Sequence, residues 1–383
     1  MKQPPIQEIG GIQRGLKVAM LTRGRIKFWN MIGITFFILQ NTLLGALETN
    51  SSRIEVLEKE IEILKEELRS MMVKQARPSA NPGIMRDEWF VSLEPIYWYQ
   101  RTNGTQFAYS NSSLVTSLPL KGRTKDINFS WSWGLRVGAG KNIAFDQWDI
   151  FGHFTFYRNH VSGSAHSGQE SILIPLRGSV ITQLGVSSAK SNYSLDLYNI
   201  DVELGRHYYI SEKLSFRPFV GVKNAWIDQH QVVRYTGGAL SRNSAHVNDS
   251  CEYWGIGART GVNSKWHLLD GWYLKGMLSG AVLYGFFDIE HREKVTPSQE
   301  DRIKIDDNKH RFVPMVQWQF GIGWGTYFNQ KENYLDLGIA YEGMYWWRQN
   351  QMLKVYEYSS LRYDNYSEDI SLHGLTFSAR LYF

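Results

Sequence analysis

From about Asp87 to Phe383 the apolar residues fall on every second position, and the segments patterned this way are joined by connections that alternate between short and long. A two-residue period belongs to a strand, whose successive side chains point to opposite faces. Ile200, Val202 and Leu204 alternate with Asn199, Asp201 and Glu203, while Phe129, Trp131, Trp133, Leu135 and Val137 alternate with Ser130, Ser132, Gly134, Arg136 and Gly138. Leu335, Leu337, Ile339 and Tyr341 alternate with Asp336, Gly338, Ala340 and Glu342. The pattern predicts ten strands, near 88–100, 128–140, 148–161, 194–209, 214–229, 251–264, 271–289, 312–328, 334–347 and 369–383. Connections after the even-numbered strands are brief: Lys141–Gln147, Ile210–Lys213, Ser264–Asp270 and Asn329–Asn333. Those after the odd-numbered strands are long and polar, as in Ser162–Tyr193 and Arg348–Glu368. A soluble sandwich has no reason to gather its short turns on one side. A transmembrane barrel does, because its periplasmic turns are short and its extracellular loops long.

Strand length agrees, since a tilted strand spans a bilayer in about 9–11 residues whereas globular strands average about 5–6. Aromatic residues crowd the strand ends at Tyr97–Tyr99, Tyr208-Tyr209, Trp272-Tyr273, Tyr327-Phe328 and Tyr345–Trp347, where interfacial girdles belong. The last strand carries Leu375, Phe377, Ala379, Leu381 and the terminal Phe383 on one face. This ending resembles the C-terminal signal of bacterial outer-membrane barrels, which implies the barrel-assembly machinery as a partner that reads Leu375, Phe377, Leu381 and Phe383. The expected fold is an all-β, antiparallel outer-membrane β-barrel over 87–383, with about ten to twelve strands. The higher number applies if Ser171–Val186 adds a hairpin.

The N-terminal region follows different rules. Arg14, Lys17, Arg23, Arg25 and Lys27 precede an apolar stretch, Phe28–Leu39, and the small-residue segment around Gly45-Ala46. That pattern reads as a signal peptide over 1–46, with translation expected to start at Met20. The formal net charge of +5 is concentrated there, so the folded part lacks the basic stripe of a nucleic-acid binder. Within 50–76, Ile54, Leu57, Ile61, Leu64, Leu68 and Met71 recur in steps of three and four between Glu, Lys and Arg. So short a heptad seam needs partner helices, which predicts a homo-oligomer, dimer or trimer. Residues 77–86, opening with Arg77-Pro78, form a linker.

A barrel must turn the polar face of each strand inward. The expected lining is Glu94, Asp149, Asp201, Glu203, Asp336 and Glu342 against Arg136, Arg217, Lys223, Arg259, Lys275 and Arg380, six acids against six bases. A balanced lining permits either transverse ion pairs that fill a narrow barrel or a polar channel. Ten strands enclose a bore only slightly wider than that of an eight-stranded barrel, whose interior is filled by side chains.

The run Tyr198–Gln229 resembles the major outer membrane protein-like family of environmental chlamydiae and Legionella. Phe145–Tyr157, Tyr253–Trp266 and Leu283–Asp288 are similar to that family's strand signatures, and the resemblance covers most of 88–383. It implies an abundant outer-membrane barrel that acts as a porin and structural surface protein, and it supplies no catalytic motif. One departure is the solitary Cys251, where the major proteins of pathogenic chlamydiae are Cys-rich and cross-linked.

A single Cys excludes an intrachain disulfide framework and a Cys-based zinc cluster. Asp301, Asp306 and Asp307 lack EF-hand ligand spacing, so neither a metal nor a cofactor is expected. His153, His207, His230, His267 and His373 are scattered, and no Gly-x-Ser-x-Gly elbow is present, which ranks a barrel enzyme last. The expected function is passive diffusion of small hydrophilic solutes together with an envelope-structural role. The alternative is a non-conducting structural or adhesive surface barrel. Outer-membrane lipid is the expected surrounding.

Overall fold

In this computed structural model the described residues are 57–65, 87–111, 121–143, 145–169, 171–178, 185–298, 300–329, 332–357 and 362–383. The expected leader, the linker 77–86, and Ile54, Leu68 and Met71 of the heptad seam lie outside them. Residues 57–65 form a helix on which Leu57, Ile61 and Leu64 are exposed. This segment and the unit Ala76–Phe383 are separate compact units.

The second unit is built on ten long strands: β1 (Glu88–Thr102), β2 (Trp131–Ile143), β3 (Trp148–His166), β4 (Ser188–Arg206), β5 (Leu214–Thr236), β6 (Ser244–Leu269), β7 (Trp272–Val295), β8 (Ile303–Phe328), β9 (Asn333–Asn350) and β10 (Glu368–Tyr382). Each pairs antiparallel with its neighbours in sequence, and β1 pairs with β10 to close the cylinder. At the seam Trp89 and Phe383 exchange both backbone hydrogen bonds at 2.9 Å. The short strand Tyr208–Tyr209 adds to the edge of β5. No described helix is long and apolar enough to cross a membrane; the strands cross instead.

The count of ten holds, and the extra hairpin expected within Ser171–Val186 does not join the barrel. Ile172–Pro175 pairs instead with Ala108–Asn111, which also pairs with Gly122–Lys125, so three loop segments make a small sheet of their own. The expectation of long connections after every odd-numbered strand is also corrected. After β5 and β7 the connections are only 237–243 and 296–302, because β5, β6, β7 and β8 remain paired well past the expected strand ends. Polar alternation continues there without a breaker, so the ladders run on above the bilayer.

The outward face is apolar. Val202, Val222, Ile256, Leu278, Phe320 and Ile339 are all exposed, as a lipid-facing wall requires. Near the loop end, registered neighbours Phe156, Tyr198, Trp226, Trp254, Phe286 and His310 make a continuous outward row across six strands. Near the turn end Trp89, Tyr208, Trp266 and Trp272 are likewise exposed. The two rows bracket the hydrocarbon, since amphipathic rings favour the interface. Val202 lies between them and is 51% exposed. Val202→Arg will therefore cost about 2–4 kcal/mol, the penalty for a cation on the lipid face near the midplane. The urea midpoint of the barrel in vesicles checks this, and an unchanged midpoint would contradict the lipid-facing assignment.

Inside, large side chains are accommodated by glycines on their own and the neighbouring strand. A Cβ at Gly255 or at Gly285 would lie 2.1 Å from the ring or hydroxyl of Tyr253, so both positions must stay bare for that ring to cross the interior.

Candidate functional site

The interior divides into two layers. At membrane depth it is ionic. Arg136 on β2 donates to Glu94 on β1 at 2.8 Å and to Glu342 on β9 at 2.7 Å, with Nε directed to Thr155 on β3 at 3.0 Å. Glu342 also accepts from Gln317 at 2.6 Å and from Thr376 at 2.7 Å, so one carboxylate gathers donors from three other strands. A second network joins β3, β4, β5 and β6. Arg217 reaches Asp149 at 2.5 Å and Glu203 at 3.1 Å, Arg259 reaches Glu203 at 2.5 Å and Asp201 at 3.2 Å, and Lys223 meets Asp201 at 2.8 Å. Nearer the turn end, Lys265 pairs with Asp336 at 2.6 Å, and Asp336 also accepts from the Tyr273 hydroxyl. Lys275 donates to Ser378 at 2.7 Å, and Arg380 lies over the rings of Phe90 and Phe151.

The twelve residues expected on the lining all lie on inward positions, and nine of them meet another of the set, whereas Asp336, Lys275 and Arg380 meet Lys265 and Tyr273, Ser378, and the rings of Phe90 and Phe151. Strand alternation could not show Thr155, Gln317, Thr376 and Tyr273, because a neutral or aromatic residue on an inward position carries no mark of its partners, and Lys265 fell just past the expected strand end at 264, where the strand in fact runs on to Leu269. Of the scattered histidines, His153 pairs with Asp201 at 3.1 Å and His207 with Asp149 at 3.2 Å, as parts of the second network.

Above the ionic layer the interior turns apolar. Trp98 on β1 and Trp346 on β9 are 1% and 0% exposed, and they share a continuous core with Tyr157, Leu195, Leu197, Ile227, Leu283, Met315 and Met344. Loop residues descend into it, among them Phe107, Leu173, Val186 and Met352, all buried. This layer was not legible in the strand pattern, since the alternation inverts there: on β4 and β5, Leu195, Leu197 and Ile227 point inward while Ser194, Asp196 and Asp228 point outward. Cys251 lies in the same core with no exposed surface, and burial pushes its thiol up to about 12. An intermolecular disulfide is thereby closed to it in this state.

The plug is tied down by polar links at the loop end, beyond the aromatic row. Tyr235 donates to the Phe107 carbonyl at 2.5 Å, and Gln231 to the Thr105 carbonyl at 2.8 Å. Arg177, from the loop after β3, pairs with Asp249 at 2.6 Å, bonds the Gly104 carbonyl and lies 4.4 Å from the Tyr366 ring centroid. His291 joins Asp249 and lies 2.9 Å from Glu293. Burial would depress the imidazole, but the two carboxylates outweigh it and hold the group at about 9. Burial likewise opposes the charge on Asp249, and Arg177 and His291 overcome it, leaving that carboxyl below its ordinary range.

Residues 82–383 match the family described as Legionella pneumophila major outer membrane protein precursor. The chain belongs to that family. As a member of the Legionella major outer membrane protein family, it is an outer-membrane β-barrel. Among solved structures it is similar to the outer membrane protease OmpT from Escherichia coli, with 8% identity, a TM-score of 0.41, and coverage of 79% of this chain and 98% of that one. It is also similar to the toluene transporter TodX from Pseudomonas putida, with 10% identity, a TM-score of 0.31, and coverage of 78% and 90%. A FadL homologue from Pseudomonas aeruginosa aligns with 8% identity, a TM-score of 0.25, and coverage of 78% and 90%. No curated protein sequence matches the chain.

Proposed function

We propose that this family member is a structural barrel of the outer membrane whose interior is closed in the resting state, with no enzymatic role. The observation that carries this reading is the apolar layer. Trp98 and Trp346 from opposite sides of the β1–β10 seam, together with Phe107 and Leu173 from the loops, occupy the lumen between the ionic layer and the mouth. A hydrated solute or ion would have to leave water to cross such a layer. The competing reading, passive diffusion of small hydrophilic solutes, is favoured by the charged interior at membrane depth, which would line a polar constriction if the plug withdrew. Self-association through the helix bearing Leu57, Ile61 and Leu64, and delivery to the membrane through the strand ending at Phe383, belong to the same proposal.

Single-channel recording on the refolded protein in planar bilayers tests it. The expected trace at neutral pH is flat, with steps appearing after Phe107→Gly and Leu173→Gly together hollow the plug. Reproducible steps from the unaltered chain would overturn the closed-barrel reading in favour of the porin.

A further inference from the structure

The barrel wall is not paired to the same height all the way round. The ladder between β7 and β8 continues to Glu293 and Ile303, whereas that between β8 and β9 stops at Met315 and Trp346. Two local causes act at this point. Pro314 has no N–H to offer a further rung. On the facing strand Arg348 adopts a positive φ of 54°, the pairing of β9 with β10 shifts register between Trp346 and Asn350, and the following residues Gln349–Met352 turn into the mouth and are buried. The upper part of β8 is left with an open edge, and between it and the loop after β9 lies a cleft of about 560 Å³.

The height of the cleft is fixed by His310, which lines it and is also the last member of the outward aromatic row, its ring against Phe286 at 4.8 Å. The opening is thus at the boundary between hydrocarbon and headgroups of the outer leaflet. Phe312, exposed on the outer face, continues the apolar surface below it.

The charge in the cleft is unlike that in the interior. Arg136, Arg217 and Arg259 each meet carboxylates. Arg311, half-buried in the cleft wall, donates to the Ser367 hydroxyl at 3.2 Å and forms no ion pair among the described residues. Arg348 lies near enough for the two positive charges to repel. Lys309 adds a third cation, shared with Asn365 and with Asp307 at 3.2 Å. Asp364 is the carboxylate that lines the cleft, and it accepts from the Asn365 backbone N–H at 2.8 Å. A planar guanidinium with unused donors, beside a second cation, matches the oxygens of a phosphate.

We propose that this lateral cleft binds the phosphate of a phosphorylated outer-leaflet lipid, with Arg311 as the main donor and Lys309 and Arg348 adding charge, while the acyl chains lie along His310 and Phe312. The source is a lipid because His310, which lines the cleft, is also exposed on the outer wall beside Phe312, where acyl chains have an apolar surface to follow. The test uses the full refolded chain in detergent micelles, with native mass spectrometry counting retained lipid. Three probes are titrated: a diphosphorylated glucosamine-based lipid, the same lipid with its phosphates removed, and inorganic phosphate. The phosphorylated lipid should bind, and Arg311→Ala should weaken it at least about tenfold, the loss expected for one charge-assisted hydrogen bond. Arg311→Lys, which keeps the charge and removes the fork, should fall between. Arg158→Ala, which breaks an exposed pair with Asp196 at 2.6 Å on the outer wall, should leave binding unchanged. Equal binding of the dephosphorylated lipid, or no loss in Arg311→Ala with the barrel folded, would overturn the site. Inorganic phosphate binding as tightly as the lipid would overturn the lipid as its source.

Discussion

Arg136→Met will destabilise the folded barrel by about 3–5 kcal/mol, the cost of removing one partner from a buried charge cluster. The size follows from what remains. Glu94 is nearly buried and Glu342 is fully so, and both direct carboxylate oxygens at the guanidinium that would be gone. Gln317 and Thr376 still donate to Glu342, but two neutral donors do not offset two neighbouring negative charges. The methionine chain fills part of the vacated volume against Trp98, over which the guanidinium sits at 5.7 Å, so the loss reads mainly as electrostatics. A triple variant that adds Glu94→Gln and Glu342→Gln should recover most of the stability, because replacing a whole buried ionic group is far cheaper than breaking it. Urea midpoints of the barrel in vesicles, read by heat-modifiable gel mobility, give both numbers. A single-variant loss below about 1 kcal/mol would place the cluster in the range of exposed salt bridges and mean that water reaches it freely.

The ionic layer was legible in the sequence for a definite reason. On β4, Asp201 and Glu203 alternate with Ile200, Val202 and Leu204, so a two-residue period and a lipid exterior leave the charged set one direction to face. The identity of partners was not legible, because Arg136 meets Glu342 across the seam between β10 and β1, and closure is a property of the whole cylinder. The plug was hidden for another reason. At Leu195, Leu197 and Ile227 the apolar set points inward while Ser194, Asp196 and Asp228 point outward, so the period persists with its sense inverted and no longer tells which face meets lipid. The apolar stretch in Ser171–Val186 carries a strand signal that the structure satisfies with Ala108–Asn111 inside the mouth; sequence pattern gives the strand and leaves its partner open. The lateral cleft depends on Pro314 and on one positive φ at Arg348, and of these only the proline is visible beforehand.

Raising the pH through about 9 will loosen the plug, and Arg177→Ala will release it at neutral pH. His291 is held at about 9 in the folded mouth, against about 6.5 in an unfolded chain. A raised folded value means the stabilisation is fully present below about 6.5 and is lost as pH rises through about 9, a swing of about 3 kcal/mol. The groups that face the imidazole come from every element packed there: Asp249 from β6, Glu293 from its own β7, and, through Asp249, Arg177 from the loop, whose charge is also set against Tyr235 and Tyr366. Losing the imidazolium leaves Asp249 with Arg177 alone. Losing Arg177 removes the link to the Gly104 carbonyl as well, so the segments carrying Phe107 and Leu173, which stay paired with each other in the small loop sheet, lose their ionic tie to the wall and keep only neutral hydrogen bonds to it, such as those from Tyr235 and Gln231. Planar-bilayer recordings at pH 7 and pH 10, paired with limited proteolysis of the loop segments, read the two effects together. Current and cleavage should both rise at pH 10 in the unaltered chain. Arg177→Ala should show them already at pH 7, and His291→Gln should remove the pH dependence. Cleavage that rises without current would mean that the strand residues Trp98 and Trp346 keep the lumen shut after the loops have left, which would assign the seal to the wall itself.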